Sequence, residues 1–151
     1  MNPDTSDRDI VNTRTYTHPR ERVFAAFSDP ASLARWWGPK GFTNTFHVFN
    51  FEPGGQWLFT MHGPDGHDFK NECVFEDISA PDRIVILHVL APIFRLVVTL
   101  EKTGAGTRLS WVQTFETAVV RDKVLKYAGP ANEEVLDRLA GVLASPPSAI
   151  T

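Results

Sequence analysis

Cysteine is nearly missing from this chain: Cys73 stands alone among 151 residues. That excludes a disulfide frame and a cysteine-rich metal site. Clustered positive charge is missing too. No run of lysine and arginine occurs, and 15 basic against 18 acidic side chains leave a formal net charge of −3. The basic surface by which a nucleic-acid binder neutralises phosphates is therefore absent. No apolar run reaches the length that crosses a bilayer, and the opening MNPDTSDRD is polar and charged, unlike a signal peptide. The expectation is a soluble, cytoplasmic protein with no membrane partner. Catalytic signatures are equally scarce. There is no Gly-x-Ser-x-Gly elbow, and Cys73 has no neighbouring base in sequence. Gly104-Ala105-Gly106 is too short for a dinucleotide fingerprint and Gly54-Gly55 lacks the P-loop lysine, so no cofactor is expected. With no repeats, low-complexity stretches or composition shifts, the chain reads as one domain over 1–151, its ordered core at about 9–144.

Bulky aromatics, by contrast, are plentiful. Eleven phenylalanines and four tryptophans supply more apolar volume than a small solid core requires; they either pack solid or line a cavity. Two tryptophans adjoin in RWWGPKGF, Arg35–Phe42. The local pattern places them. Asp9–Tyr16 alternates and reads as a strand. His18-Pro19 opens a helix with Val23, Phe24 and Phe27 on one face, and Asp29-Pro30 opens a second. Trp36 and Trp37 follow Leu33 by three and four residues, on the same face, and Gly38-Pro39 stops the helix.

From Phe42 the period becomes that of strands. Phe42–Phe51 slips in its alternation between Val48 and Phe49, which suggests a bulge. Trp57, Phe59 and Met61 share one face of the next strand, and Gly63-Pro64-Asp65-Gly66 returns the chain as a hairpin through Phe69–Ile78. Ile84–Leu90, Phe94–Glu101 and Arg108–Glu116 follow, the last putting Leu109, Trp111, Gln113 and Phe115 on one side. After Gly129-Pro130 a helical stripe of Val135, Leu136, Leu139, Val142 and Leu143 begins, with Glu133, Glu134, Asp137 and Arg138 turned to water and Ser145-Pro146-Pro147-Ser148 as its stop. The fold class is α+β: a curled antiparallel sheet of about six or seven strands around a long C-terminal helix, with two short helices after the first strand.

The segments TRTYTHPRERVFAAFSDPASLARWWGPKGFTNT, EPGGQWLFTMHGPDG, APDRIVILH, TRLSWVQTFE and LDRLAGVLA resemble the helix-grip superfamily called SRPBCC. It includes START lipid-transfer domains, the birch-pollen allergen and polyketide cyclases. The branch most similar is the bacterial one named after the C-terminal domain of the activator of heat-shock-protein-90 ATPase. The resemblance runs from about Asp9 to Ala144. It implies a cavity between sheet and long helix that takes apolar or amphipathic small molecules. It implies no shared catalytic set. The co-chaperone behind the branch name carries a separate domain that grips the chaperone, for which this length leaves no room.

The candidate wall of such a cavity is Trp36, Trp37, Trp57, Phe59, Met61, His88, Phe94, Trp111, Gln113 and Phe115, with Leu136 and Leu139 from the helix. For the paired indoles two readings stand: both plug the sheet as core, or at least one lines the cavity mouth with the Pro39–Phe42 loop as a gate. His88 interrupts the apolar run RIVILHVL. It is either a structural histidine with its hydrogen bonds met or an acid–base group pointing inward. That second role needs Ile84, Ile86 and His88 to share the inner face, and a one-residue slip would exchange His88 for Leu87. The histidines and aspartates of His62–Asp68 straddle a turn and are read as turn residues, with no metal expected. The leading expectation is a small-molecule-binding protein. A cyclase- or hydrolase-type enzyme using the same cavity and a stress-related co-chaperone-like ATPase activator are the alternatives. An exposed edge strand would allow a homodimer.

Overall fold

A computed structural model describes residues 6–145. Asp9–Tyr16 forms β1, whose inward residues Ile10 and Tyr16 are buried. Arg20–Ser28 forms α1, which buries Val23, Ala26 and Phe27. The Asp29 carboxylate accepts the Ala31 N–H, and Pro30 occupies the first turn, so α2 runs over Pro30–Trp36. Trp37 caps its end, and Gly38 follows at φ +94°. A side chain at Gly38 would be disfavoured by that angle and would also press on the Met61 methyl, 2.7 Å from where a Cβ would stand.

Six strands then meander: β2 (Thr43–Phe49), β3 (Gln56–His62), β4 (Asp68–Ser79), β5 (Arg83–His88), β6 (Phe94–Thr103) and β7 (Gly106–Phe115). Each pairs antiparallel with the next, and β1 closes against β7, giving the order β1-β7-β6-β5-β4-β3-β2. The last element, α3, spans Ala118–Ala144 and is about 40 Å long at 1.5 Å per residue. Its buried stripe packs across the sheet's inner face, and the core comprises that stripe, α1, α2 and the inward strand residues.

α3 is tied down by polar contacts as well. The buried Tyr16 hydroxyl donates to the Leu136 carbonyl at 2.8 Å, and Arg14 pairs with Glu133 and Asp137, each at 2.8 Å. Burial raises the Tyr16 phenol far above its ordinary value.

Three sequence expectations are corrected. The register of β2 shifts between Phe46 and Val48, not between Val48 and Phe49. β5 stops at His88 rather than at Leu90. Most consequentially, α3 begins twelve residues before Pro130, capped by the Thr117 hydroxyl accepting the Val120 N–H, and carries Pro130 inside it. Its first half buries no side chain: Val119, Leu125 and Tyr127 are exposed, so no apolar stripe advertises it in the sequence. The expected stop at Pro146-Pro147 lies outside the described residues.

Candidate functional site

Between the inner face of the sheet and α3 lies a cavity of about 130 Å³. The loop after α2 supplies Trp37, Gly38 and Pro39, and β3 supplies Met61. Phe94 and Leu96 come from β6, Trp111 and Gln113 from β7, and Ala131, Asn132 and Val135 from α3. The side chains that bound it are mostly apolar, with two amides set among them. A cavity of roughly this size lined by hydrocarbon can hold benzene. A larger groove bordered by Arg20, Asp82, Arg83, Glu101 and Arg108 is charged instead.

The adjacent tryptophans divide between core and wall. Trp36 is wholly buried; its Nε1–H donates to the Ala26 carbonyl at 3.0 Å and its ring meets Phe27 edge-on at 4.8 Å. It joins α2 to α1. Trp37 is half-buried, borders the cavity, and touches Trp36, Trp57 and Trp111 with centroids at 5.7, 4.9 and 5.5 Å.

Of the other expected wall residues, Met61, Phe94, Trp111 and Gln113 border the cavity, while Trp57, Phe59, Phe115, Leu136 and Leu139 do not. These five are core. Trp57 stacks between Phe59 and Phe75 at 4.3 and 5.7 Å, and Leu136 and Leu139 have no exposed surface. Space that aromatic rings fill this tightly is closed to a guest. His88 also lies off the cavity wall. Ile84 and Ile86 sit in the core as the parity required, yet the imidazole is occupied: Nδ1 donates to the Pro92 carbonyl at 3.0 Å, Nε2 meets Asn71 Oδ1 at 2.9 Å, and the ring stacks on Phe94 at 4.8 Å.

Two residues not expected at the site matter here. Asn132 is buried, and its amide donates to Gln113 Oε1 at 2.7 Å and to Asn12 Oδ1 at 3.0 Å. Its signal was available: it precedes Val135 by three residues and Leu136 by four, a polar residue on an apolar stripe. Arg138, expected to face water, instead turns its guanidinium into the loop beside the cavity. It donates to the carbonyls of Gly38 at 2.7 Å, Pro39 at 3.0 Å, Arg35 at 2.8 Å and Phe42 at 3.0 Å. Desolvation lowers its pKa from the ordinary arginine value. Glu134 adds a contact from its carboxylate to the Lys40 N–H at 3.2 Å. The loop that borders the cavity is thus held from α3.

The hairpin after β3 pairs its polar groups locally, His62 with Asp68 at 2.7 Å and His67 with Asp65 at 2.8 Å. Among the described residues no group of three or more His, Cys, Asp or Glu side chains converges as a metal site would require, and no helix is long and apolar enough to cross a membrane.

Comparison with known proteins agrees with this architecture. No curated protein matches the chain. Among solved structures, a protein from Nitrosomonas europaea superposes with a TM-score of 0.85 at 20% identity, covering 94% of this chain and 97% of its own. A protein from Arthrobacter aurescens reaches 0.86 at 25% identity, covering 97% and 91%. The AHSA1 protein of Silicibacter pomeroyi gives 0.75 at 21% identity, covering 90% and 97%. These likenesses establish the helix-grip-like fold. The family model described as "Activator of Hsp90 ATPase homolog 1-like protein" matches residues 17–144, which is most of the sequence, and the chain therefore belongs to that family.

Proposed function

We propose that this protein binds a small apolar or amphipathic molecule, about one ring in size, in the cavity between the sheet and α3. One observation carries the reading. In an interior where most aromatics pack against one another, a hollow of about 130 Å³ persists beside Trp37 and Trp111 and is edged by the amides of Gln113 and Asn132. A mostly apolar wall with a few convergent polar groups is the usual make-up of a small-molecule site. Trp37 and Pro39 border the cavity, and Arg138 holds the loop that carries them.

The test is titration with single-ring compounds such as toluene, read by tryptophan fluorescence and by the unfolding temperature. Binding to the folded state alone raises that temperature by mass action. Trp37→Ala, which removes one wall, is expected to weaken binding roughly tenfold. If no single-ring compound shifts either readout, the cavity is not a binding site.

A further inference from the structure

An amide side chain can present either its carbonyl oxygen or its NH₂ to a cavity. The partner of its other end decides which. For Gln113 that decision can be traced to the surface. Glu133 Oε2 accepts from Asn12 Nδ2 at 2.7 Å. A carboxylate only accepts, so Asn12 must turn its NH₂ outward and its oxygen inward. That oxygen accepts from Asn132 Nδ2 at 3.0 Å, and the same nitrogen donates its second hydrogen to Gln113 Oε1 at 2.7 Å. Asn132 has then used both amide hydrogens. Gln113 has used its oxygen, while its own NH₂ meets no acceptor among the described residues.

The starting point of this chain is firm. Arg14 grips the other Glu133 oxygen at 2.8 Å, and the hydrogen bonds from Asn12 and Arg14 hold the Glu133 carboxyl below its ordinary range. Reversing all three amides would set the Asn12 carbonyl against an ionised carboxylate. Gln113 is only 8% exposed and borders the cavity. Trp111, beside it on the same wall, has a buried indole N–H with no partner among the described residues. An acceptor on a guest would relieve the desolvation cost of the buried Trp111 donor and would give the Gln113 NH₂, which is not fully buried, a partner in the cavity.

We infer that the occupant of this cavity carries a hydrogen-bond acceptor of the carbonyl class, held by the side-chain NH₂ of Gln113, and that the Glu133–Asn12–Asn132 chain fixes that amide's orientation. The inference rests on the reading of the cavity as a binding site and narrows it: the ligand is a compact ketone, aldehyde, ester or amide on an apolar body.

Cyclohexanone and methylenecyclohexane test this, because they differ only in C=O against C=CH₂. Both are titrated into the wild-type protein and Gln113→Met, with affinity read by tryptophan fluorescence, and into ¹⁵N-labelled wild type by NMR. Cyclohexanone is expected to move the Gln113 side-chain amide protons downfield, and methylenecyclohexane to leave them in place. Gln113→Met should weaken cyclohexanone roughly tenfold and leave methylenecyclohexane within about twofold. The surface change Glu133→Gln, which frees the chain to reverse, should weaken the ketone alone, by roughly twofold. If both compounds bind but the amide protons do not respond, or both lose affinity alike in Gln113→Met, the acceptor inference falls and the cavity reading stands. If neither binds, both fall. Should Gln113→Met not fold, the wild-type amide shifts decide.

Discussion

Trp36 and Trp37 are neighbours in sequence with different surroundings, and the difference sets what each substitution does. Trp36 has no exposed surface and donates a buried hydrogen bond to Ala26; Trp36→Ala is expected to cost about 3–5 kcal/mol in urea unfolding. Trp37 is half-buried at a wall that is already partly empty, so Trp37→Ala should cost less, about 1–3 kcal/mol. Equal losses would contradict the division into core and wall. Cys73 offers a second check. It is 3% exposed, and burial pushes its thiol from an ordinary 9.0 up to about 12. The folded state thus favours the neutral thiol. Its contribution to stability is complete below pH 9 and declines between pH 9 and 12, as the unfolded chain gains the thiolate first. The native protein should resist iodoacetamide at pH 8 and react once urea unfolds it; rapid native labelling would show that the site opens.

At the scale of elements, α3 combines a first half that buries no side chain fully, with Arg121 donating to the Asp7 carbonyl at 3.1 Å, and a clamped second half. Gly141 lies on the exposed side of the second half, with nothing within 4 Å of where a Cβ would stand. Gly141→Ala should therefore stabilise the protein by about 0.5–1 kcal/mol, since alanine loses less backbone entropy in a helix. A lower unfolding midpoint would mean that the position is not the open helical site described. Arg138 links this helix to the loop from Arg35 to Phe42 through four carbonyls at 3.0 Å or less. Arg138→Ala is expected to cost about 2–4 kcal/mol and to lose amide-exchange protection in that loop first. Arg138→Lys should recover only part of it, because an ammonium cannot span several carbonyls as a planar fork does. Unchanged exchange in the loop would remove the clamp. The elements also show what was legible. The Asp29-Pro30 start and the Gly63–Gly66 turn are chemical signals confined to a few residues, and both were readable. The first half of α3 was not, because it buries nothing, and burial is what produces a periodic pattern.

The whole molecule is a sheet bent around one helix, with most of the space between them filled. Seven of the twelve expected wall residues turned out to pack against other side chains instead of bordering the cavity. They were expected at the wall because every inward residue of a curled sheet points the same way. Which of them leave a void depends on the volumes of rings from five different elements, and no spacing along the chain encodes that sum. Asn132 meets Gln113 from 19 residues away and Asn12 from 120, so their chain of amides could not be read from any local pattern.

By itself, the sequence determined most of the elements, the inward faces of β3 and β7 and the kinship of the chain, because period, turn chemistry and capping act within a few residues. Only the tertiary structure decided where the hollow lies, that His88 has its hydrogen bonds met away from it, that Arg138 faces a loop rather than water, and which end of Gln113 meets the cavity. Packing and hydrogen-bond direction are properties of groups brought together from distant parts of the chain, and they acquire definite values only when the fold closes.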